Sequence, residues 1–203
     1  SCEAVVIGLF QDGKAVEELH NYGDVIFDHS VFYAESGGQI ADSGTIENND
    51  TKAIVDNVIK APHKQHLHHV QLQYGVLHLK DRLTLRIDSK KRRIITANHS
   101  CTHLLQSALK QVVGNHVAQA GSFVSEEYLR FDFTHFEKVN EPQLREIEHI
   151  INQYIAAKYP VTKELMAIEE AKQSGATALF DEKYGDIVRV VTMGDVSKEF
   201  CGG

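Results

Sequence analysis

The sequence is poor in the features that would place it among secreted, membrane or nucleic-acid-coating proteins. It has three cysteines, Cys2, Cys101 and Cys201, in 203 residues. They are too few and too dispersed for a disulfide framework and favour a reducing compartment, so a cytoplasmic location is expected. No run approaches the ~18 apolar residues of a membrane span, and no signal-like segment opens the chain, so no membrane is expected as a partner. A positive excess is also missing: 21 Lys+Arg stand against 28 Asp+Glu, a net charge of −7. That argues against a chain that coats DNA or RNA without specificity, and leaves room for a local basic patch. Apolar residues are not scarce. At 42% hydrophobic and 24% charged, the composition is that of a soluble globular protein and excludes a disordered tail. There is no initiator Met, and the chain stops at Cys201-Gly202-Gly203, an ending that reads as a domain cut from a longer protein.

The first ninety residues read as β structure. Short apolar runs at Ala4–Phe10, Val25–Phe27, Gly44–Ile46, Ala53–Ile59, His66–Gln73 and Leu83–Ile87 are separated by turn residues. Asp12-Gly13 is the strongest hairpin signal among them. Strands at this spacing predict a small barrel or sandwich over residues 1–90. Beyond Lys90 the period changes. Ile94, Ile95, Leu104, Leu105, Ala108, Leu109 and Val112 recur at helical spacing, with Gly114 as a stop. Val117–Val124 and Tyr128–Phe133 read as a hairpin. A second helix carries the stripe Leu144, Ile147, Ile150, Ile151, Tyr154 and Ile155, with Asn140 as cap and Pro142 in its first turn. A strand at Val161–Met166, a short helix over Ile168–Ser174 and a strand at Ile187–Met193 follow. The expected fold class is α+β, with a small N-terminal β-barrel over 1–90 and an α+β core over 91–203.

His99 and His103 are four residues apart in the first helix, roughly 40° apart on the wheel, so both rings leave one face. Two imidazoles so placed can grip one zinc ion; they can equally be unrelated helix histidines. Cys101 lies between them, roughly 200° around from His99, and is read as a small core residue and not a ligand. Ser100 occupies the position where a zinc peptidase needs its glutamate, which argues against that activity. Cys201 reads either as the thiolate that completes a His-His-Cys set or as a terminal cysteine without a role. No Glu or Asp stands out as a general base.

Three further segments invite a functional reading. Gly37 and Gly38 after Phe32-Tyr33-Ala34-Glu35-Ser36 form either a tight turn or a backbone cradle for an anion. His63, His66, His68 and His69 read as solvent-facing positions of an alternating strand in preference to a metal site. Lys90-Lys91-Arg92-Arg93, just ahead of the histidine helix, is either a solvated junction or a phosphate contact.

Taken together, several segments resemble the editing domain of alanyl-tRNA synthetase. They are Phe32–Gln39, Asn98–Leu105, His116–Ser122, Leu129–Phe133, Ala178–Tyr184 and Glu199–Gly203. The likeness covers nearly the whole chain, and the last segment is similar to the start of the family's Cys-Gly-Gly-Thr-His motif. The resemblance implies a fold shared with threonyl-tRNA synthetase editing domains and free-standing editing proteins. It implies hydrolysis of tRNA(Ala) mischarged with serine or glycine, the rest of a parent synthetase as partner, and ATP binding elsewhere in that parent. His99, His103 and Cys201 would be zinc ligands, with the family's final His two residues past Gly203, so zinc is expected to be held weakly or to be absent. Gln119 matches a pocket glutamine, and Ser30 stands where the family more often has Thr. Both are candidate catalytic-pocket residues that would contact the serine hydroxyl. Gly37, Gly38, Lys91, Arg92 and Arg93 are the candidate substrate-binding residues. The zinc would position a water or anchor the substrate's amino group. The alternatives are a free-standing trans-editing deacylase and a non-catalytic zinc-stabilised tRNA-binding module.

Overall fold

A computed structural model describes residues 1–178 and 185–202. Residues 179–184 of the matching segment named above, and Gly203, lie outside them. The chain divides into two compact units, Ser1–Ile95 and Thr96–Gly203.

The first unit contains β1 (Cys2–Gln11), β2 (Lys14–Ala15), β3 (Glu18–Leu19), β4 (Tyr22–Phe27), β5 (Gly44–Glu47), β6 (Lys52–Lys60), β7 (His66–Tyr74), β8 (Leu77–His78) and β9 (Arg82–Ile87). Six of these close into an antiparallel barrel in the order β1-β4-β7-β6-β5-β9, because β9 pairs back onto β1 through Cys2↔Leu85 and Ala4↔Leu83. The barrel expected from the strand spacing is therefore present, and closure leaves its main strands without free edges. Inward positions alternate along each strand, and Ala4, Val6, Val25, Ile46, Val55, Val70 and Leu85 fill the interior. A bulge in β1 between Val6 and Gly8 moves the inward set to Leu9 and leaves Ile7 exposed. Asp12 and Gly13, at φ 51° and 75°, turn β1 into β2 as the Asp-Gly pair predicts.

Residues 28–43 form the long loop between β4 and β5, and an internal clamp holds it. Asp42 is buried and accepts from the Tyr33 N–H at 2.7 Å and from Arg92 Nε at 2.7 Å. The Arg92 guanidinium also donates to the Val31 carbonyl at 3.0 Å. Arg92 comes from α1 (Ser89–Val112), whose first turn is the basic run itself. The helix starts earlier than its apolar spacing suggests because Asp88 caps it, accepting from the N–H groups of Lys90 and Lys91 at 3.0 Å each.

In the second unit, α1 is followed by the hairpin β10 (Ala118–Val124) and β11 (Leu129–Thr134), then α2 (Glu141–Ala157), β12 (Val161–Ala167), α3 (Ile168–Gln173), β13 (Ile187–Met193) and β14 (Ser197–Phe200). Asn140 and Gln143 form a reciprocal capping box at the start of α2. Ile147 and Ile150 pack with Ala108, Leu109 and Val117, whereas Leu144 and Ile155 at the ends of the predicted stripe stay half exposed. The last three strands form an antiparallel sheet in the order β12-β13-β14. The short and partly polar β14 has no counterpart in the sequence reading, yet it delivers the end of the chain to the site.

Candidate metal centre

One turn of α1 places His99 and His103 side by side, with ring centroids 5.3 Å apart. The third group arrives from the distant end of the chain. β14 pairs with β13, its Phe200 is buried, and the Cys201 N–H bonds the Arg189 carbonyl at 3.0 Å, which fixes the backbone at the thiol. Cys201 Sγ then lies 3.1 Å from His99 Nε2. One nitrogen of each histidine and this sulfur all fall within 4.8 Å of one another. Donor atoms around one tetrahedral zinc ion sit ~3–4 Å apart, so the set is nearly closed to that spacing already.

A carboxylate behind the cluster orients it. Glu199 Oε2 is 2.6 Å from His103 Nδ1, both residues are buried, and Ser197 Oγ donates to the other carboxylate oxygen at 3.0 Å. A carboxylate only accepts, so His103 Nδ1 carries the proton and Nε2 is the atom turned to the cluster. That Nε2 is buried without a hydrogen-bond partner. A buried imidazole nitrogen left in this state is costly; a proton shared with the Cys201 thiolate relieves that cost, and so, once the proton has left, would a cation held with Cys201 and His99. The electrostatics point the same way. Burial would raise the Cys201 thiol, but His103 and His99 outweigh it and bring it down to about 5. Burial would likewise lower His103, and its contacts with Cys201 and Glu199 outweigh that and lift it to about 10. The centre thus holds a thiolate ready for a cation, and the proton that His103 otherwise retains must leave when a metal takes the nitrogen.

Glu199 enters the sequence reading only as part of the Glu199–Gly203 segment, with no role of its own. The available signal was parity: Glu199 and Cys201 are two residues apart, hence on one side of an extended segment. Cys101 is half buried, its thiol is pushed up by burial, and it stands outside the His99–His103–Cys201 group.

The remaining site candidates are distributed over both units. Gln119 belongs to the second, at a bulge where the β10–β11 register shifts between Gln119 and Gly121. Bulges of this kind re-aim a side chain. Gln119 lines a cavity of about 280 Å³ together with Gln106, Lys110 and His116. Ser30, Gly37, Gly38, Lys91, Arg92 and Arg93 belong to the first unit. Gly37 and Gly38, at φ 60° and 78°, are the centre of a two-residue turn closed by Ser36 and Gln39 bonding each other in both directions. The glycines form a tight turn, and a non-glycine pair would resist this geometry. Arg92 serves the Asp42 clamp, with Nε and one terminal nitrogen engaged, while Arg93 is exposed. The histidine strand departs from expectation at one position. His68 is completely buried, not solvent-facing, because Ser30 and the Val25 carbonyl satisfy both its nitrogens.

The class of protein to which the chain is similar follows from comparison. Residues 1–91 match the family described as tRNA synthetases class II (A). Among individual relatives, the alanine–tRNA ligase of Geobacillus thermodenitrificans (strain NG80-2) is 50% identical over 202 residues, covering 98% of this chain and 23% of that protein. The alanine–tRNA ligase of Listeria monocytogenes serotype 4b (strain F2365) is 50% identical over 200 residues, and that of Bacillus subtilis (strain 168) is 47% identical over 203. The chain spans 23% of the length of each of these relatives.

Proposed function

We propose that this chain is an editing module that hydrolyses the aminoacyl ester of tRNA(Ala) mischarged with serine or glycine, with zinc held by His99, His103 and Cys201. The observation that carries the reading is the convergence of two imidazoles and a thiolate from segments about a hundred residues apart, backed by a buried carboxylate. Similarity to alanine–tRNA ligases supplies the substrate class. The need for such an activity is energetic. A pocket that accepts alanine admits the smaller glycine and rejects serine by no more than about a hundredfold, so a second, hydrolytic site is required.

The donor set fits zinc, and bound there the ion would supply a Lewis acid beside the ester. The chain's own groups do the rest. Glu199 holds the His103 ring with Nε2 toward the cluster, and Ser197 holds Glu199. Gln119 of the second unit and Ser30 of the first are each proposed as contacts to the substrate, and Lys91 and Arg93 as contacts to the phosphates of the acceptor end. The test is deacylation of Ser-, Gly- and Ala-tRNA(Ala) by this chain and by His103→Ala and Cys201→Ala. Hydrolysis of the first two substrates, lost in both variants, is the expected result. Turnover unchanged by either substitution would overturn the assignment.

A further inference from the structure

The face of α1 that carries the two histidines does not end with them. Gln106 and Lys110 follow His103 on the same side of the helix, Lys110 lying ~10 Å further along the axis. Gln106 is only 3% exposed, yet its amide has no hydrogen-bond partner among the described residues. A buried amide left so is costly unless a group from outside the chain completes it. Lys110 is half buried and has no acidic partner among those residues either. A lysine in the last turn of a helix is favoured by the helix dipole alone, but the dipole does not account for Gln106.

Both side chains line two cavities of the second unit. The larger, of about 360 Å³, also has Asp195 and Glu199 in its wall, which suit it poorly to an anion. The smaller, of about 280 Å³, is lined in addition by Asn115, His116, Gln119 and Thr177, with no carboxylate among the described residues. Every one of these six side chains can donate a hydrogen bond, and Lys110 brings a full positive charge. The volume is close to the ~300 Å³ at which small-ligand cavities begin. The donors converge from α1, from the turn into β10 and from the segment after α3, so a ligand that accepts in several directions uses more of them than a planar carboxylate does. We propose that this cavity binds a phosphate group, with Lys110 supplying the charge and Gln106, Asn115 and Thr177 the hydrogen bonds. Free phosphate and an RNA phosphodiester share that chemistry. Assignment to the acceptor strand rests on the editing function proposed above, in which an ester held at the His99–His103–Cys201 cluster would run its nucleotide's phosphate along this face of α1 toward Lys110.

The first probe is inorganic phosphate, added to the metal-free chain at constant ionic strength. It should shift the side-chain ¹H–¹⁵N signals of Gln106 and Asn115 to saturation. Lys110→Ala should weaken that binding by roughly tenfold or more, the worth of a charge-assisted hydrogen bond, and Lys110→Arg should restore it. Shifts that chloride reproduces, or that survive Lys110→Ala undiminished, would overturn the phosphate site. The second probe is an unacylated RNA copy of the tRNA(Ala) acceptor end. If its phosphate is the ligand, Lys110→Ala should reduce the slope of log K against log salt by about 0.7, the value of one single-strand contact. An unchanged slope beside a lost response to inorganic phosphate would uphold the site and overturn its assignment to RNA. Deacylation is read separately. A chain that binds phosphate as described but hydrolyses neither Ser- nor Gly-tRNA(Ala) would sink the editing function and leave the phosphate site standing.

Discussion

Glu199 offers the sharpest check on the metal centre, because its expected effects differ with and without metal. Its carboxylate is 2.6 Å from His103 Nδ1 and both residues are only 8% exposed. Removing it by Glu199→Ala leaves Nδ1 buried without an acceptor and frees the ring to rotate, so Nε2 is no longer held toward Cys201. Loss of an outer partner of this kind weakens metal binding by roughly 10–100-fold, equivalent to about 1.4–2.7 kcal/mol. The metal-free chain should also lose about 1–3 kcal/mol of stability, the desolvation cost of an orphaned buried group. Glu199→Gln keeps an oxygen to accept from Nδ1 but gives up the charge, so its zinc affinity should fall near the tenfold end of that range. The assay is competition against a chromophoric zinc chelator at fixed pH, paired with urea unfolding of the metal-free variants. A Glu199→Ala chain that folds and binds zinc within twofold of the parent would refute the idea that His103 ligates through a carboxylate-oriented Nε2.

Two other outcomes follow from groups in the first unit. His68 has its pKa lowered from 6.5 to about 4 in the folded chain by burial, so below pH 6.5 the unfolded chain binds a proton that the folded chain does not. Its contribution is fully present above pH 6.5 and is lost as pH falls toward 4, about 2.5 kcal/mol between pH 7 and pH 4.5; unfolding free energies at these two pH values should differ by that much less in His68→Phe, and an identical pH dependence would refute the assignment. Arg92→Ala takes from the buried carboxylate of Asp42, 3% exposed, its cationic partner and leaves it the Tyr33 N–H, and should cost about 3 kcal/mol in urea denaturation; a loss under 1 kcal/mol would mean that the clamp does not hold the loop.

The barrel was legible because its signal is local. Apolar residues at alternate positions, broken by turn residues, dictate a strand whether or not its partner is known, and Asp12-Gly13 dictates the turn. Closure follows from pairing six such strands with no edge left over. Small pieces such as β3 and β8 pair through two residues each, too short to leave a periodic trace. The start of α1 is hidden for a different reason. Its apolar stripe begins at Ile94, while the helix begins at Ser89 because the Asp88 carboxylate caps Lys90 and Lys91. A cap followed by four cations reads as a solvated junction unless the cap is noticed.

The centre itself was half legible, and the division follows contact distance along the chain. His99 and His103 announce themselves because helix geometry alone brings residues at i and i+4 together. Cys201 and Glu199 reach them only through β14 and its pairing with β13, about a hundred residues on, and no local pattern in Ser197-Lys198-Glu199-Phe200 reports that pairing. The same holds for His68 in the barrel. Along β7 it reads as one of several histidines on an alternating strand, and only the approach of Ser30 and of the Val25 carbonyl from other segments explains how a histidine can be fully buried there. In both places the proposed site residues can be named from sequence, while the groups that fix their protons cannot. A ligand or reader side chain is marked by its own type, whereas its partner is any acceptor that the fold brings within about 3 Å. The proton-fixing group of the metal centre, Glu199, is for that reason where experiment separates a working site from a fortuitous cluster.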